Sequence, residues 1–567
     1  MSINSLLLNM SKRKCFLAAI LINLFFLTIC IAFGELRYGA LDDYFMAAIL
    51  TGAYGHDYNV HLYFVNALYG YALLPFYHLF PNVGWYYIGE MLSVFLSFTT
   101  ISYVIIKKID IKWGVVLATF FVACFAGDFY LSVQFTQCAA ALSAAGMLTI
   151  AYSIGENRPR CYRLMALGGA FLFWGSLMRW DAFLMGMPFF ALGLLLQFKN
   201  CWNKRHSLII SFIVTMLAIF AVHQWDRNLY KTPEYKTYGE FQGPRSFFGD
   251  GNNYNKNAAY EDLEELGKSG MDLHYAVTWT FYDPNVYSVD QLKKLIKVVD
   301  RYMNPANLSF LPLKLIDALQ SLAKTPMFWA WLIFAIMLQC MKGRGIVYSW
   351  LSLIVLMCLM GYLLGIQRLI YRVETGLFLY SCCMAIPFFK KLETSISTKL
   401  CVSILFIICG MNMMAYASMG DIVRDSQTGK EKDLHPATDT TDFATIYKYI
   451  DSNSDKFYMP STYINMLFAE HLKSQYAPTP IGRFRNFVSL GYWTPYLPEI
   501  TESLREFGIE NPMRDIVMDD VVVIGEGSLC GYLQRHYYDS VAVDTVAAFD
   551  DIIFYKYRLV KKGVNND

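Results

Sequence analysis

Long apolar runs recur along this chain and constrain its fold more than any other feature. Each run is about 17–23 residues long, the length that an α-helix needs to cross the hydrocarbon core of a bilayer. Of the 567 residues, 55% are hydrophobic and only 17% are charged, which excludes a soluble globular protein. The net charge of +2 is uninformative by itself, but the lack of a basic tract argues against a nucleic-acid partner. The sequence predicts a polytopic α-helical membrane protein of about eleven spans, at residues 15–33, 84–106, 113–129, 132–153, 164–178, 182–198, 207–223, 325–341, 346–366, 373–389 and 400–417.

The distribution of Lys and Arg among the short connections predicts the orientation of these spans. With the N-terminus inside, every predicted inner loop is basic, from Lys12-Arg13-Lys14 to Lys390-Lys391. The short outer turns carry almost no cations apart from Arg179, Arg368 and Arg372. This bias predicts a multi-pass protein whose N-terminus is cytoplasmic.

Residues 60–80 are apolar enough to suggest a further span, although they contain two histidines and a proline. A span at this point would reverse every later loop and place the basic loops outside. Residues 34–83 are therefore predicted to form one outer loop. It would contain a helix after Asp42-Asp43 and a second, amphipathic helix lying in the membrane interface.

Two longer hydrophilic regions are predicted to lie on the same outer side. The first, residues 224–324, is rich in Gly, Asn and Tyr and includes a predicted helix at 289–302. The second is the C-terminal region, which is predicted to form a small extracytoplasmic α/β domain. The chain thus divides into a membrane domain, 1–417, and a C-terminal domain, 418–567. The elements predicted in the latter are helices at 442–452 and 461–473 and strands at 521–524, 541–543 and 552–557.

The acidic pair Asp42-Asp43 lies just after the first predicted span, at the outer membrane boundary. A carboxylate in this position can accept a proton from a hydroxyl group, as the base of a glycosyl transfer from a lipid phosphate must do. The alternative is that Asp42 caps the helix that follows, at 43–51. Capping explains one acid more readily than two, so we predict that one of the pair is catalytic.

The placement of this pair resembles the GT-C superfamily of membrane glycosyltransferases, which take sugars from polyprenyl-phosphate carriers. Such enzymes place an acidic residue or pair in the first outer loop, followed by helices along the membrane. The motif match is Asp42-Asp43 with the stretch to Phe80, and the match of span number, outer loops and C-terminal domain covers the whole chain as architecture. The likeness is to bacterial members, and the absence of a WWD-type signature argues against oligosaccharyl transfer. The resemblance implies a GT-C-like fold in a bacterial inner membrane, with Asp42 or Asp43 as the base.

Two further outer turns contain candidate substrate-binding residues. Asp128 lies where related proteins often have a second acid, so it could position the acceptor or hold a cation. An ordinary polar turn residue is the alternative. In the next turn, Arg179 and Asp181 flank Trp180, and an Arg–Asp pair at this depth is costly unless it is paired or used. Arg179 is predicted to contact a phosphate, and a self-satisfying salt bridge is the alternative.

The outer ends of the late helices contain Arg368, Arg372 and Glu374. A lipid phosphate must be held by cations at that depth, and guanidinium forks match phosphate oxygens. Headgroup anchoring, or a pair with Glu374, is the alternative. In the first outer loop, His56 is predicted to contact sugar or to lie on the surface, because His56 and His61 lack the i, i+4 spacing of a helical zinc pair.

These residues predict a glycosyltransferase that moves a sugar from a polyprenyl-phosphate donor to a cell-surface glycan or lipid-linked acceptor. Its partners would be those two substrates and membrane lipids. No metal site or other cofactor is predicted, and a divalent cation lacks support. Walker A, GxSxG and HExxH motifs are absent from the sequence. The alternatives are an O-antigen-type polymerase centred on outer arginines, and a transporter of lipid-linked glycans.

Overall fold

The structure is a computed structural model. It describes residues 3–155, 161–249, 254–303, 310–341, 343–391, 400, 403–405, 407–408, 410–411, 422–424, 430–433 and 442–560. Two layers make up this part of the chain. The first is a bundle of apolar helices, and the second is a cap formed by residues 230–303 and 442–560.

Seven helices in the described residues are long and apolar enough to cross a membrane. The predicted count of eleven is not confirmed. The helix from Trp180 to Leu196 has only 17 residues, and the last predicted span, 400–417, lies mostly outside the described residues. A pair of helices with a 98° bend between them could add an eighth span.

The bundle helices are Ile3–Phe33 (α1), Trp85–Lys108 (α4), Ile111–Ala126 (α5, extended by a π-helical turn at Gly127–Leu131), Phe135–Gly155 (α6), Cys161–Met178 (α7), Trp180–Leu196 (α8), Phe198–Asn203 (α9), Arg205–Leu229 (α10), Leu311–Leu322 (α15), Pro326–Met341 (α16), Arg344–Gly365 (α17) and Tyr371–Ala385 (α18).

Helix α6 lies at the centre of the bundle, where it packs against α4, α7, α8 and α18. Small residues allow this close packing, because helix axes approach nearest where side chains are shortest. A Cβ added to Gly146 would lie 2.7 Å from the carbonyl oxygen of Gly168 on α7. By contrast, α10 has most of its apolar side chains exposed, as a helix facing lipid requires.

The first outer loop contains two short helices, Leu41–Leu50 (α2) and Ala67–Leu79 (α3). Helix α3 has 13 residues, which span only about 20 Å at 1.5 Å per residue and cannot cross a bilayer core of about 30 Å. Large apolar side chains such as Phe76 and Leu79 are exposed on it, and Asn66 caps its N-terminus. These features support the predicted interfacial position. The strands Arg37–Tyr38 (β1) and Ser132–Val133 (β2) pair in parallel and tie this loop to the next outer turn.

The cap contains the predicted small sheet in the C-terminal region. Its strand order is Phe457–Pro460 (β5), Val521–Ile524 (β6), Ile552–Leu559 (β8) and Val541–Phe549 (β7), with β5 and β6 parallel and the others antiparallel. The three predicted strands are confirmed, and β5 is an additional one. The domain boundary at 417/418 stays a prediction.

The remaining elements are Lys236–Gly249 (α11), Lys256–Glu261 (α12), Gly270–Val277 (α13), Val289–Asp300 (α14), Ile422–Arg424 (β3), Glu431–Asp433 (β4) and the helices Phe443–Ser452, Thr462–His471, Pro498–Glu506 and Cys530–His536.

Candidate functional site

Asp42 and Asp43 lie in the first turn of α2, and the N-cap of that helix is Ala40. The alternative that Asp42 caps the helix is therefore wrong. Successive residues of an α-helix point about 100° apart, so the two carboxyl groups face different surroundings. Asp42 is partly exposed and faces the cap, whereas Asp43 is fully buried in the bundle.

The Asp42 carboxylate receives two hydrogen bonds from the cap. The Tyr492 hydroxyl donates to Oδ1 at 2.7 Å, and the Trp493 indole Nε1 donates to the same oxygen at 3.1 Å. Both donors orient the carboxylate. Oδ2 makes no hydrogen bond to a described residue, so it is the oxygen available to accept a proton from a substrate.

Asp43 lies beside a second buried acid, Glu90 of α4, and both side chains are fully buried. The Tyr86 hydroxyl donates to Asp43 Oδ1 at 3.0 Å. The two carboxyl groups are neighbours, and Asp43 Oδ2 and both Glu90 oxygens are buried without a hydrogen-bond donor from another described residue. Two carboxyl groups can share a hydrogen bond only when one is protonated. Burial raises the pKa of Asp43 far above its usual range, so Asp43 is protonated near neutral pH.

Two aromatic residues beside Asp42 adopt an unusual backbone conformation. Trp279 and Tyr492 have φ of 62° and 73°, in the left-handed region that bulky residues rarely adopt. Their rings stack with centroids 5.1 Å apart, and Tyr492 N donates to the Trp279 carbonyl at 2.9 Å. The preceding residue must be glycine, because a Cβ on Gly491 would lie 1.5 Å from that carbonyl oxygen. Strained residues of this kind cluster at functional sites.

Arginines from the outer ends of the bundle lie near the same acids. Arg179 lies 3.6 Å from Asp181 through Nε, and its guanidinium carbon is 5.5 Å from the centre of the Phe64 ring. Burial lowers the pKa of Arg179, and Asp181 and Asp42 oppose that shift. Arg372 and Arg368 also act on Arg179 electrostatically, and Arg372 acts on Asp43. Arg179 thus lies near Asp42 and Arg372 lies near Asp43, whereas Arg368 lies near Arg179.

The other predicted residues occupy different positions. Asp128 is buried and accepts a hydrogen bond of 2.9 Å from the Tyr371 hydroxyl, which joins the second outer turn to the start of α18. Asp181 is 75% exposed and pairs with Arg179. Glu374 is partly buried in the first turn of α18. Asp128 therefore contacts the first residue of α18 and Glu374 lies in the first turn of that helix, whereas Asp181 lies at the solvent edge.

His56 lies apart from the acids, on the exposed edge of the cap. Its Nδ1 is 3.2 Å from Arg485, and its Nε2 is 3.9 Å from Glu506. With Glu502 and Glu506 it forms an exposed group whose donor atoms lie within 4.8 Å of one another. Exposed acidic groups are common without a metal, so this group carries no metal assignment.

Sequence reasoning missed several residues of this site. Glu90 could have been found, because it is the sole acid within its predicted span. Acidic residues within membrane spans usually have a function. Tyr492 and Trp493 follow Asp42 by 450 residues, and no local pattern links them to it. Arg245, a buried cation of α11, lay in a loop whose fold the sequence left open.

Comparisons with known proteins found no match by sequence and a weak likeness to a solved structure. No family model matches the sequence, and no curated protein matches it. Among solved structures, the chain is similar to ArnT from Cupriavidus metallidurans in the apo state, with a TM-score of 0.40 and 11% sequence identity. The match covers 95% of this chain and 96% of that one. A likeness at this level assigns neither fold nor function.

Proposed function

We propose that this protein is a membrane glycosyltransferase of the GT-C type. It transfers a sugar from a polyprenyl-phosphate donor to a glycan or lipid-linked acceptor at the outer face of a bacterial inner membrane. The observation that carries this proposal is the oriented Asp42 carboxylate, with one oxygen available, beside arginines at the mouth of an apolar bundle.

The proposed reaction is a single displacement with inversion. Asp42 Oδ2 accepts the proton of the acceptor hydroxyl while the acceptor oxygen bonds to the anomeric carbon of the donor sugar. The bond between that carbon and the phosphate oxygen breaks, and the electron pair leaves with the phosphate. Arg179, Arg368 and Arg372 stabilise the leaving phosphate by charge and by hydrogen bonds.

The two acids have separate roles in this proposal. Asp43 is buried away from the cap and, because burial raises its pKa, is already protonated near neutral pH, so it cannot readily take another proton from a substrate. It positions α2 through its hydrogen bond from Tyr86. Asp42 is therefore the base. Asp128 holds Tyr371, the neighbour of Arg372, and so acts as a positioning residue.

Transfer of radiolabelled sugar from polyprenyl-phosphate donors, in membranes containing the protein, tests this function. Wild type is compared with Arg372→Gln and with Arg301→Gln, a control arginine on the exposed side of the cap. Activity that is lost with Arg372→Gln and kept with Arg301→Gln supports the proposal. If no donor is consumed by wild type across a panel of sugars, the transferase assignment fails and the transporter alternative takes its place.

A further inference from the structure

Arg245 is a buried cation that the proposed reaction does not yet use. It lies on α11 in the cap, and only 3% of it is exposed. Its Nε donates to Gln242 Oε1 at 2.8 Å, and that is the hydrogen bond its guanidinium makes within the described part of the chain. No described carboxylate lies within ion-pair distance of it. A buried charge without a counter-ion is costly, and a bound anion would remove much of that cost.

Neighbouring groups hold the Arg245 guanidinium in a fixed position. Its carbon lies 5.4 Å from the ring centre of Trp279 and 5.8 Å from that of Phe64. Gln242 is itself anchored, because its Nε2 donates to the carbonyl of Trp493 at 2.8 Å. Contacts with rings offset part of the cost of burial, but they leave the outward edge of the guanidinium fork available for an oxyanion.

Trp493 connects Arg245 to Asp42 through hydrogen bonds. The indole Nε1 of Trp493 donates to Asp42, and its carbonyl accepts from Gln242, which holds Arg245. Phe64 contacts both Arg245 and Arg179. Cations thus flank the base in two layers, one at the mouth of the bundle and one in the cap.

We propose that Arg245 binds an oxyanion of the acceptor, a phosphate or a carboxylate close to the hydroxyl group that reacts. This inference rests on the proposed function. The lipid tail of the donor holds its phosphate at the membrane, next to the bundle arginines. The acceptor approaches from the aqueous side, where the cap lies. An anion bound in the cap layer therefore belongs to the acceptor, and the enzyme selects acidic glycans or phosphorylated ones.

Binding to the purified full-length protein, measured by calorimetry without donor, tests the proposal. The probes are inorganic phosphate, glucuronate and, as the neutral match, glucose. We expect at least one anion to bind more tightly than glucose. Arg245→Gln should weaken that binding by about tenfold or more, whereas the control Arg301→Gln should change it by less than about twofold. A preference for phosphate or for glucuronate tells which oxyanion the acceptor carries.

Equal anion binding by wild type, Arg245→Gln and Arg301→Gln would overturn the inference, as would anions binding no better than glucose. Should Arg245→Gln fail to fold, Arg245→Lys, which keeps the charge without the planar fork, carries the test. Reduced anion affinity relative to Arg301→Gln then supports the proposal, and unchanged affinity overturns it. Because the assay contains no donor, its result is separate from transfer. A protein that binds anions through Arg245 but transfers no sugar retains the anion site and loses the transferase assignment.

Discussion

Two neighbouring acids in this protein occupy opposite environments. Asp42 is held by hydrogen-bond donors from Tyr492 and Trp493 and keeps one oxygen available. Asp43 is buried beside Tyr86 and Glu90. The sequence predicted a catalytic acid within this pair but could not separate its members. Their separation depends on the direction in which each side chain leaves α2, and the groups that meet them come from distant parts of the chain.

The protonated state of Asp43 predicts how pH affects stability. The folded state binds this proton more tightly than the unfolded chain, because burial raises the pKa of Asp43. The stabilisation is therefore complete below the ordinary carboxyl pKa of about 4 and is lost as pH rises towards the raised pKa. Asp43→Asn keeps the neutral form at every pH. Melting temperatures in detergent should fall from pH 6 to pH 9 for wild type and fall less for Asp43→Asn.

The exposed Asp57 provides the control for this measurement. Asp57→Asn should show the same pH dependence as wild type, because the carboxyl group of Asp57 is not buried. An identical fall in melting temperature for Asp43→Asn and wild type would contradict a protonated Asp43.

At the scale of elements, the bundle was more predictable than the cap. Apolar length marks the spanning helices directly, and seven of them lie where the sequence placed them. The short helix α3 agrees with the predicted non-spanning stretch at 60–80. The cap was predictable only in part, because the contact between residues 278–280 and 490–493 depends on tertiary packing that has no sequence period.

Gly491 controls this contact between the two parts of the cap. Gly491→Ala would place a Cβ 1.5 Å from the carbonyl oxygen of Trp279, so the two segments must separate. We expect a loss of stability of about 1–3 kcal/mol, and a fall in transfer because Tyr492 leaves Asp42. Thermal unfolding and transfer assays measure the two effects. The matched control is Gly365→Ala, since no atom of the described residues lies within 4 Å of a Cβ at that position. Equal thermal stability and equal transfer in Gly491→Ala and Gly365→Ala would contradict this packing.

At the scale of the whole molecule, the cap joins the late outer loop to the C-terminal region around one buried carboxylate. Asp283 accepts hydrogen bonds from the hydroxyls of Tyr532 and Tyr537 and from the amide of Asn511. The sequence predicted both hydrophilic regions but not their union, because these three donors lie more than 200 residues from Asp283.

Removal of that carboxylate should loosen the cap. Asp283→Ala leaves several buried donors without an acceptor, at a cost of about 1–3 kcal/mol for each unsatisfied group. Limited proteolysis should then cut within residues 254–303 faster than in wild type. The exposed Asp300 supplies the control, and Asp300→Ala should be cleaved at the wild-type rate. Cleavage of Asp283→Ala at the wild-type rate would mean that the carboxylate does not hold the cap together.

The orientation of the whole molecule is a separate prediction from the basic inner loops. Alkaline phosphatase fused after residue 567 should be active in a bacterial host, because that enzyme folds only outside the cytoplasm. A fluorescent protein that requires the cytoplasm should be dark at the same position and bright when fused before residue 1. The reverse pattern would place the cap, and with it the proposed site, inside the cell.

The proposed mechanism depends on Asp42, and not Asp43, acting as the base. The rate of sugar transfer from a polyprenyl-phosphate donor with purified Asp42→Asn, Asp43→Asn and the control Asp57→Asn tests this role. Loss of a general base typically costs about 10²–10⁴-fold in rate. We predict a loss of that size for Asp42→Asn, and rates within about tenfold of wild type for the other two. Full activity of Asp42→Asn would contradict the claim and favour an arginine-centred polymerase. A selective loss in Asp43→Asn would instead exchange the roles of the two acids.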